Sequence, residues 1–147
     1  RVLKRSSPRH IHEYIDTVHP EKIDCSRRYL GDEEVIKLVQ SLQAYADRAE
    51  AAVKEINFVA NGLGRHGVEE LLNLLANASL DKESPIGFFL GGVEVLDLSF
   101  NANIHDSCIG CIKFLLSSTK TLRTLNLSGT NVSSETKELV QKALHSA

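Results

Sequence analysis

Apolar positions recur along this chain in one frame that changes period partway through. Counting from Ile56, Phe58 falls at offset 2, Asn61 at 5 and Leu63 at 7, with Val53 three residues ahead. Val68, Leu71 and Leu75 then follow at 12, 15 and 19. The first half alternates with period 2 and the second with a period near 3.6, which predicts a short strand, a corner and an amphipathic helix. The same frame starts at Ile23 without a gap, through Cys25, Leu30, Val35, Leu38 and Leu42. A third copy begins at Leu96, preceded by Val93 and followed by Leu98 and Asn101. One additional residue then moves its later positions to Ile104, Ile109, Ile112 and Leu116. The fourth starts at Leu125, with Leu122 before it and Leu127, Val132, Val140 and Leu144 after. Lys137 in an apolar slot and Thr130 in the asparagine slot make it degenerate, as terminal repeats commonly are.

The copies divide the chain near 20–52, 53–92, 93–121 and 122–147, and their anchors are 33, 40 and 29 residues apart. The longer spacings imply insertions. In copy one the extra residues YADRAEAA extend a helix; in copy two the insertion 79–92, SLDKESPIGFFLGG, is the least repeat-like part of the chain. Residues 1–19 lie outside the frame. Ser7 before Pro8, with Ile11, Tyr14, Ile15 and Val18 at helical spacing, predicts a helix capping that end of the stack. The carboxyl end has no comparable cap, so the strand around Leu125 presents a bare edge.

One stretch suggests different chemistry. Gly62-x-Gly64-x-x-Gly67 follows a strand and opens a helix, and Asp81 stands 19 residues after Gly62, the outline of a dinucleotide turn. In the frame these glycines align with Tyr29, Gly31 and Glu34, and with Ala102, His105 and Cys108, so only Gly64 recurs. A pyrophosphate docks on one helix N-terminus, and its turn is unique in a domain. A glycine pattern inside a repeated frame is better explained as a tight corner, and no cofactor is expected.

The lines VKEINFVANGLGRHGVEELLNLLA, VEVLDLSFNANIHDSCIGCIKFLL and LRTLNLSGTNVSSETKELVQKAL follow LxxLxLxxNxL and then a helix. Over roughly residues 20–146 the chain resembles leucine-rich repeats of the ribonuclease-inhibitor-like subclass; similar repeats occur in tropomodulin, the Ran GTPase activator and NOD-like receptors. The resemblance implies an α/β fold: a right-handed solenoid of about four strand–helix repeats, with a parallel concave sheet, helices on the convex side and an N-terminal capping helix. Ile23, Ile56, Leu96 and Leu125 then form one buried ladder and Cys25, Phe58, Leu98 and Leu127 the next. Asn61 and Asn101, where the chain leaves the strand, are positioned to pair backbone groups of the bend and of the neighbouring unit. Arg28 takes that slot in copy one.

Bulk properties narrow the function further. A net charge of −2 over 147 residues gives no electrostatic case for nucleic acid or an anionic membrane. Arg1, Lys4, Arg5 and Arg9 form a basic run best read as a solvated tail. No apolar stretch approaches the ~20 residues that span a bilayer. Three cysteines, Cys25, Cys108 and Cys111, argue against a disulfide framework and for a reducing, cytoplasmic setting. The chain has no Met and begins with Arg, which predicts a piece of a longer protein.

Candidate chemistry is sparse. His105, Cys108 and Cys111, at spacings of three, are a weak metal or redox candidate. A structural zinc takes four ligands and no second pair is present. The shifted frame aligns both cysteines with mostly polar positions, Glu34/Gly67 and Lys37/Glu70, and predicts surface thiols. No catalytic residues, and so no enzyme, are expected. The outward rows of the sheet offer Asp24, Asn57, Asp97 and Asn126, with Phe100 near Val59 as an apolar anchor. Phe88 and Phe89 in the insertion either cover the core or anchor a partner. The expected function is a non-catalytic module that binds another protein through its concave face or the 79–92 insertion, with self-association through the bare last repeat as a further possibility and no small-molecule substrate. The alternatives are a GTPase-activator-like regulator and the architectural end of a longer solenoid.

Overall fold

The four period-2 stretches become four short strands, β1 (Lys22–Asp24), β2 (Glu55–Asn57), β3 (Val95–Asp97) and β4 (Thr124–Asn126). The computed structural model describes residues 13–15 and 19–145. The strands pair in parallel, in chain order β1-β2-β3-β4. Ile23 stands beside Ile56, Leu96 and Leu125 in register, as the repeated frame requires. The middle residue of each strand is buried and its two neighbours are partly or fully exposed, so one face of the sheet is covered and the other is open. Among the described residues five helices supply the cover: α1 (Gly31–Tyr45), α2 (Arg65–Leu80), α3 (Pro85–Leu90), α4 (Ile109–Ser118) and α5 (Ser134–His145). α1 packs on α2, α2 on α4, and α4 on α5. Ile23, Cys25, Ile56, Phe58, Leu96 and Leu98 are all within one per cent of full burial. Each large side chain among them contributes about 1.5–3 kcal/mol.

The corners are held by the two asparagines. Asn61 Oδ1 accepts from the backbone N–H groups of Arg28 and Leu30 at 3.1 and 3.2 Å, and its amide donates to the Cys25 carbonyl at 2.7 Å. Asn101 repeats this one unit on. Its Oδ1 accepts from Asn61 and Leu63 at 2.8 and 3.0 Å, and its amide donates to the carbonyls of Phe58 and Leu98 at 3.0 and 2.9 Å. Thr130 breaks the series, because its hydroxyl turns back to the Leu127 carbonyl at 2.6 Å. Asn131 instead reaches the Ala102 carbonyl at 2.6 Å and joins the last two corners.

The insertion folds against the helices. Ser84 caps α3 by accepting from the Gly87 N–H at 3.0 Å, with Pro85 at the first helical position. A Cβ at Gly87 would lie 1.9 Å from the Asp81 carbonyl oxygen, so only glycine permits this return. The Phe89 carbonyl accepts from Val53 N–H at 2.9 Å, which ties α3 to the approach of β2.

Two expectations need correction. The extra residues of copy one do not simply lengthen α1, which ends at Tyr45 and continues as a 3₁₀ turn, Ala46–Arg48, before extended chain. The expected N-terminal capping helix lies mostly outside the described residues, which from that segment include Glu13, Tyr14, Ile15 and His19. Ile15 makes an antiparallel bridge to Ile23, and the Tyr14 carbonyl accepts from Asp24 N–H at 2.8 Å. Tyr14 is buried in the core and Ile15 packs against it, so this segment covers the outer edge of β1 with both backbone and apolar side chains.

The second correction concerns copy three. Ile104 does sit one residue late and is buried, but Cys108, Cys111 and Leu115, at offsets 12, 15 and 19 from Leu96, occupy the core. Ile112 is buried with them, while Ile109 and Leu116 are only half-buried. A 3₁₀ turn at Asp106–Cys108 precedes α4. Its rise of about 2.0 Å per residue covers the corner with one residue fewer, which restores the frame.

Replacing Asn101 by Ala strands several buried backbone groups, each worth about 1–3 kcal/mol. Urea unfolding should show a loss of at least about 3 kcal/mol for Asn101→Ala and almost none for the exposed Asn103→Ala. Equal midpoints for the two would refute the corner analysis.

Candidate interaction surface

The open face of the sheet carries four rows of side chains. Asp24, Asn57, Asp97 and Asn126 share one row by strand register. Each is already engaged locally: Oδ1 accepts from the N–H two residues on, at Ser26, Val59, Ser99 and Ser128, over 2.9–3.0 Å. The Ser26 and Ser99 hydroxyls also donate to their aspartates, at 2.7 and 2.6 Å. The predicted hydrogen-bonding row therefore spends half its capacity shaping the turns. What stays open on Asp24 and Asp97 is the second carboxylate oxygen, unpartnered among the described residues.

The apolar anchor reduces to one residue. Phe100 is 63 % exposed, but Val59 is buried, because β2 is flanked by a strand on each side and its row closes over it. Phe100 has φ +59, in the left-handed region, as do Arg27 and Ala60 at the same place in their units. Gly129 completes the row at φ +73, and a Cβ there would come within 2.6 Å of Phe100 Cδ1. The ring thus lies directly on the backbone of the next unit. In the insertion the two phenylalanines part: Phe88 is half exposed, whereas Phe89 is buried with its ring centroid 5.4 Å from that of Tyr45. Phe89 is core and offers nothing to a partner.

A charged row escaped the sequence reading although its spacing is regular. Glu21, Lys54, Glu94 and Arg123 each stand two residues before a ladder residue and alternate in sign. Glu94 pairs with Arg123 at 2.9 Å and with Lys54 at 3.7 Å, and the Arg123 hydrogen bond holds its carboxyl below the usual range. Lys22 and Glu55 pair at 3.8 Å in the adjoining row.

The glycine corner does not await a phosphate. Asp32 Oδ1, from the preceding unit, accepts from Gly64 N–H at 2.7 Å, at the N-terminus of α2. A Cβ at Gly67 would lie 2.5 Å from that oxygen and one at Gly64 3.2 Å from Oδ2. The glycines make room for a protein carboxylate where a dinucleotide enzyme would place pyrophosphate. Gly62 needs its left-handed φ of +69, a conformation that Tyr29 adopts at the same offset. Asp106 acts likewise on α5, accepting from Ser133 N–H at 2.9 Å and the Thr136 hydroxyl at 3.0 Å, and these hydrogen bonds hold its carboxyl below the ordinary value.

His105, Cys108 and Cys111 do not converge. His105 is exposed and caps its own turn, with Ser107 Oγ 3.0 Å from Nδ1, while both cysteines point into the core. The expectation of surface thiols fails because the frame recovers before α4. Burial raises the Cys108 thiol and pushes Cys111 up to about 12; it raises Cys25 as well. Among the described residues no three His, Cys, Asp or Glu side chains are grouped to hold a metal, and no helix is long and apolar enough to cross a membrane. Neither protein-family models nor curated proteins match the chain.

Two measurements check this site. Asp32→Ala should cost about 0.5–2 kcal/mol and Gly67→Ala about 1–3 kcal/mol. The double variant should lose less than their sum by at least about 0.5 kcal/mol, since removing the carboxylate clears space for the methyl; strict additivity would contradict the packing. All three thiols should resist a disulfide reagent at pH 8 in the folded protein and react together in urea. Rapid labelling of Cys108 or Cys111 in the native state would return them to the surface.

Proposed function

We propose that this chain is a non-catalytic protein-interaction module, built as a leucine-rich repeat stack, that holds a partner protein on the open face of its sheet. The exposed Phe100 ring, seated on Gly129 beside a row with free carboxylate oxygens, carries this reading. An exposed aromatic on a fixed stem is the usual centre of a small recognition patch. Asp97, three residues away in sequence, adds an acceptor that suits a basic side chain. The partner surface that fits presents an apolar group next to a lysine or arginine. Cysteines placed as apolar core residues rather than as a disulfide framework support an intracellular site of action.

The test separates recognition from folding. Phe100→Ala removes the ring, and Asp97→Asn removes the charge yet keeps an acceptor for Ser99, as Asn57 and Asn126 do natively. Both variants should unfold at nearly the wild-type urea concentration while losing at least about tenfold in affinity for a partner retained by the wild-type protein, roughly 1.4 kcal/mol. Glu138→Ala, on exposed α5, should keep it. Undiminished retention by both sheet variants would exclude the open face.

A further inference from the structure

The repeat frame lengthens in two places, and both additions come to one groove among the helices. The extra stretch of copy one, 45–52, brings Ala46 and Asp47, and the insertion 79–92 brings Pro85 and Ile86. Between them α2 supplies Leu74, Asn77 and Ala78, and the last turn of α1 supplies Gln43, around a volume of about 320 Å³. In repeat folds such additions gather on one face, which is often the face that binds. The walls are firmly set. The buried Phe89 ring, against Tyr45, fixes α3 to the end of α1. A Cβ at Gly91 would come within 2.8 Å of the Ala78 carbonyl oxygen, so α3 also lies directly on α2.

Floor and rim differ in chemistry. Ala46, Leu74 and Ala78 are buried, and Ile86 packs half-buried against the core. On the rim Gln43, Asp47 and Asn77 are exposed, and none of these side chains has a partner among the described residues. Each presents an acceptor oxygen, Gln43 and Asp47 from one wall and Asn77 from the other. No cation lines the groove, and the adjacent Arg48 is taken up by the Tyr45 ring, 5.7 Å from its centroid. The two added stretches hold Asp47, Glu50, Asp81 and Glu83 against Arg48 and Lys82. An excess of negative charge therefore stands beside an apolar trough, the complement of a cation on a hydrocarbon stem.

We propose that this groove receives a lysine side chain of a partner protein, carried on a segment with apolar neighbours. An ammonium has three donors and no acceptor, which suits one oxygen each from Gln43, Asp47 and Asn77. Its aliphatic stem lies along Leu74 and Ala78, as lysine stems do on apolar surface. A guanidinium is a planar fork matched to both oxygens of one carboxylate; acceptors on separate walls favour the compact, rotatable ammonium instead. The insertion thus takes part through Pro85 and Ile86, not through its phenylalanines. The groove lies among the helices, so this proposal stands apart from the open face of the sheet.

Amide NMR spectra of the protein, titrated with the peptide ALKLA blocked at both ends, should show saturable shifts at Gln43, Asp47, Asn77 and Ile86. Norleucine in place of the peptide's lysine, or Asp47→Asn in the protein, should weaken binding at least about tenfold. Asn77→Arg, which sets a fixed cation on the opposite rim, should abolish it. Asp47 and Asn77 are exposed, and unchanged urea midpoints show that both variants fold. Absence of saturable shifts at these amides, equal binding of the norleucine peptide, or indifference to Asp47→Asn each overturns the proposal. Equal shifts at Glu33 and Glu138, exposed acids outside the groove, would mean diffuse attraction and overturn it too. Hexylammonium bound as tightly as the peptide would make the ligand a free amine and exclude a docked protein.

Discussion

The side chain of Asn101 hydrogen-bonds backbone groups of Asn61, Leu63, Phe58, Leu98 and Ser99, and so joins the corners of two successive strand–helix units. These groups leave the sheet where no strand partner remains, in the interior, and they would be costly unpaired. Asn61 performs the same service one unit earlier. These two amides tie the corners that follow β1, β2 and β3 to one another. Apolar ladders supply most of the energy and fix the register, because a one-residue slip would turn them to solvent; a fully satisfied carboxamide adds direction at each corner.

That dependence explains what could be read from the sequence. Strand register was legible row by row, because Ile23, Ile56, Leu96 and Leu125 each sit at the centre of a period-2 stretch and the asparagine offset fixes their phase. The left-handed positions and the Asp32 contact were not, since both join residues of different units through geometry that one-dimensional spacing does not encode. The error at Cys108 and Cys111 has a single physical source. An added residue in a corner can be absorbed by local winding, and the 3₁₀ turn there does so within a few residues. Carrying the shift through α4 displaced its whole face. Phe88 and Phe89 were similarly ambiguous: adjacent helical residues point about 100° apart, so one was bound to be inside once α3 formed.

The open face of the sheet is polar but largely self-occupied. Its aspartates and asparagines stabilise their own turns, and its ion pairs neutralise one another across strands. Exposed pairs of that kind contribute little to stability, so the alternating row serves order of pairing more than strength. Against this background a single aromatic ring is conspicuous, and the glycine beneath it provides the space it needs. Asp32 and Asp106 show the same economy at the helix ends, where carboxylates of one unit meet the positive pole of the next helix.

Arg27, Ala60 and Phe100 share a φ between 56 and 59, a conformation that costs an ordinary residue about 1–2 kcal/mol. The bonds on either side impose it whatever side chain is attached. A cation, a methyl and a benzyl group are thus mounted on identical, pre-frozen stems at strand spacing. Recognition can change its vocabulary at these stations while the scaffold keeps its grammar, and little backbone freedom is left to lose when another surface arrives.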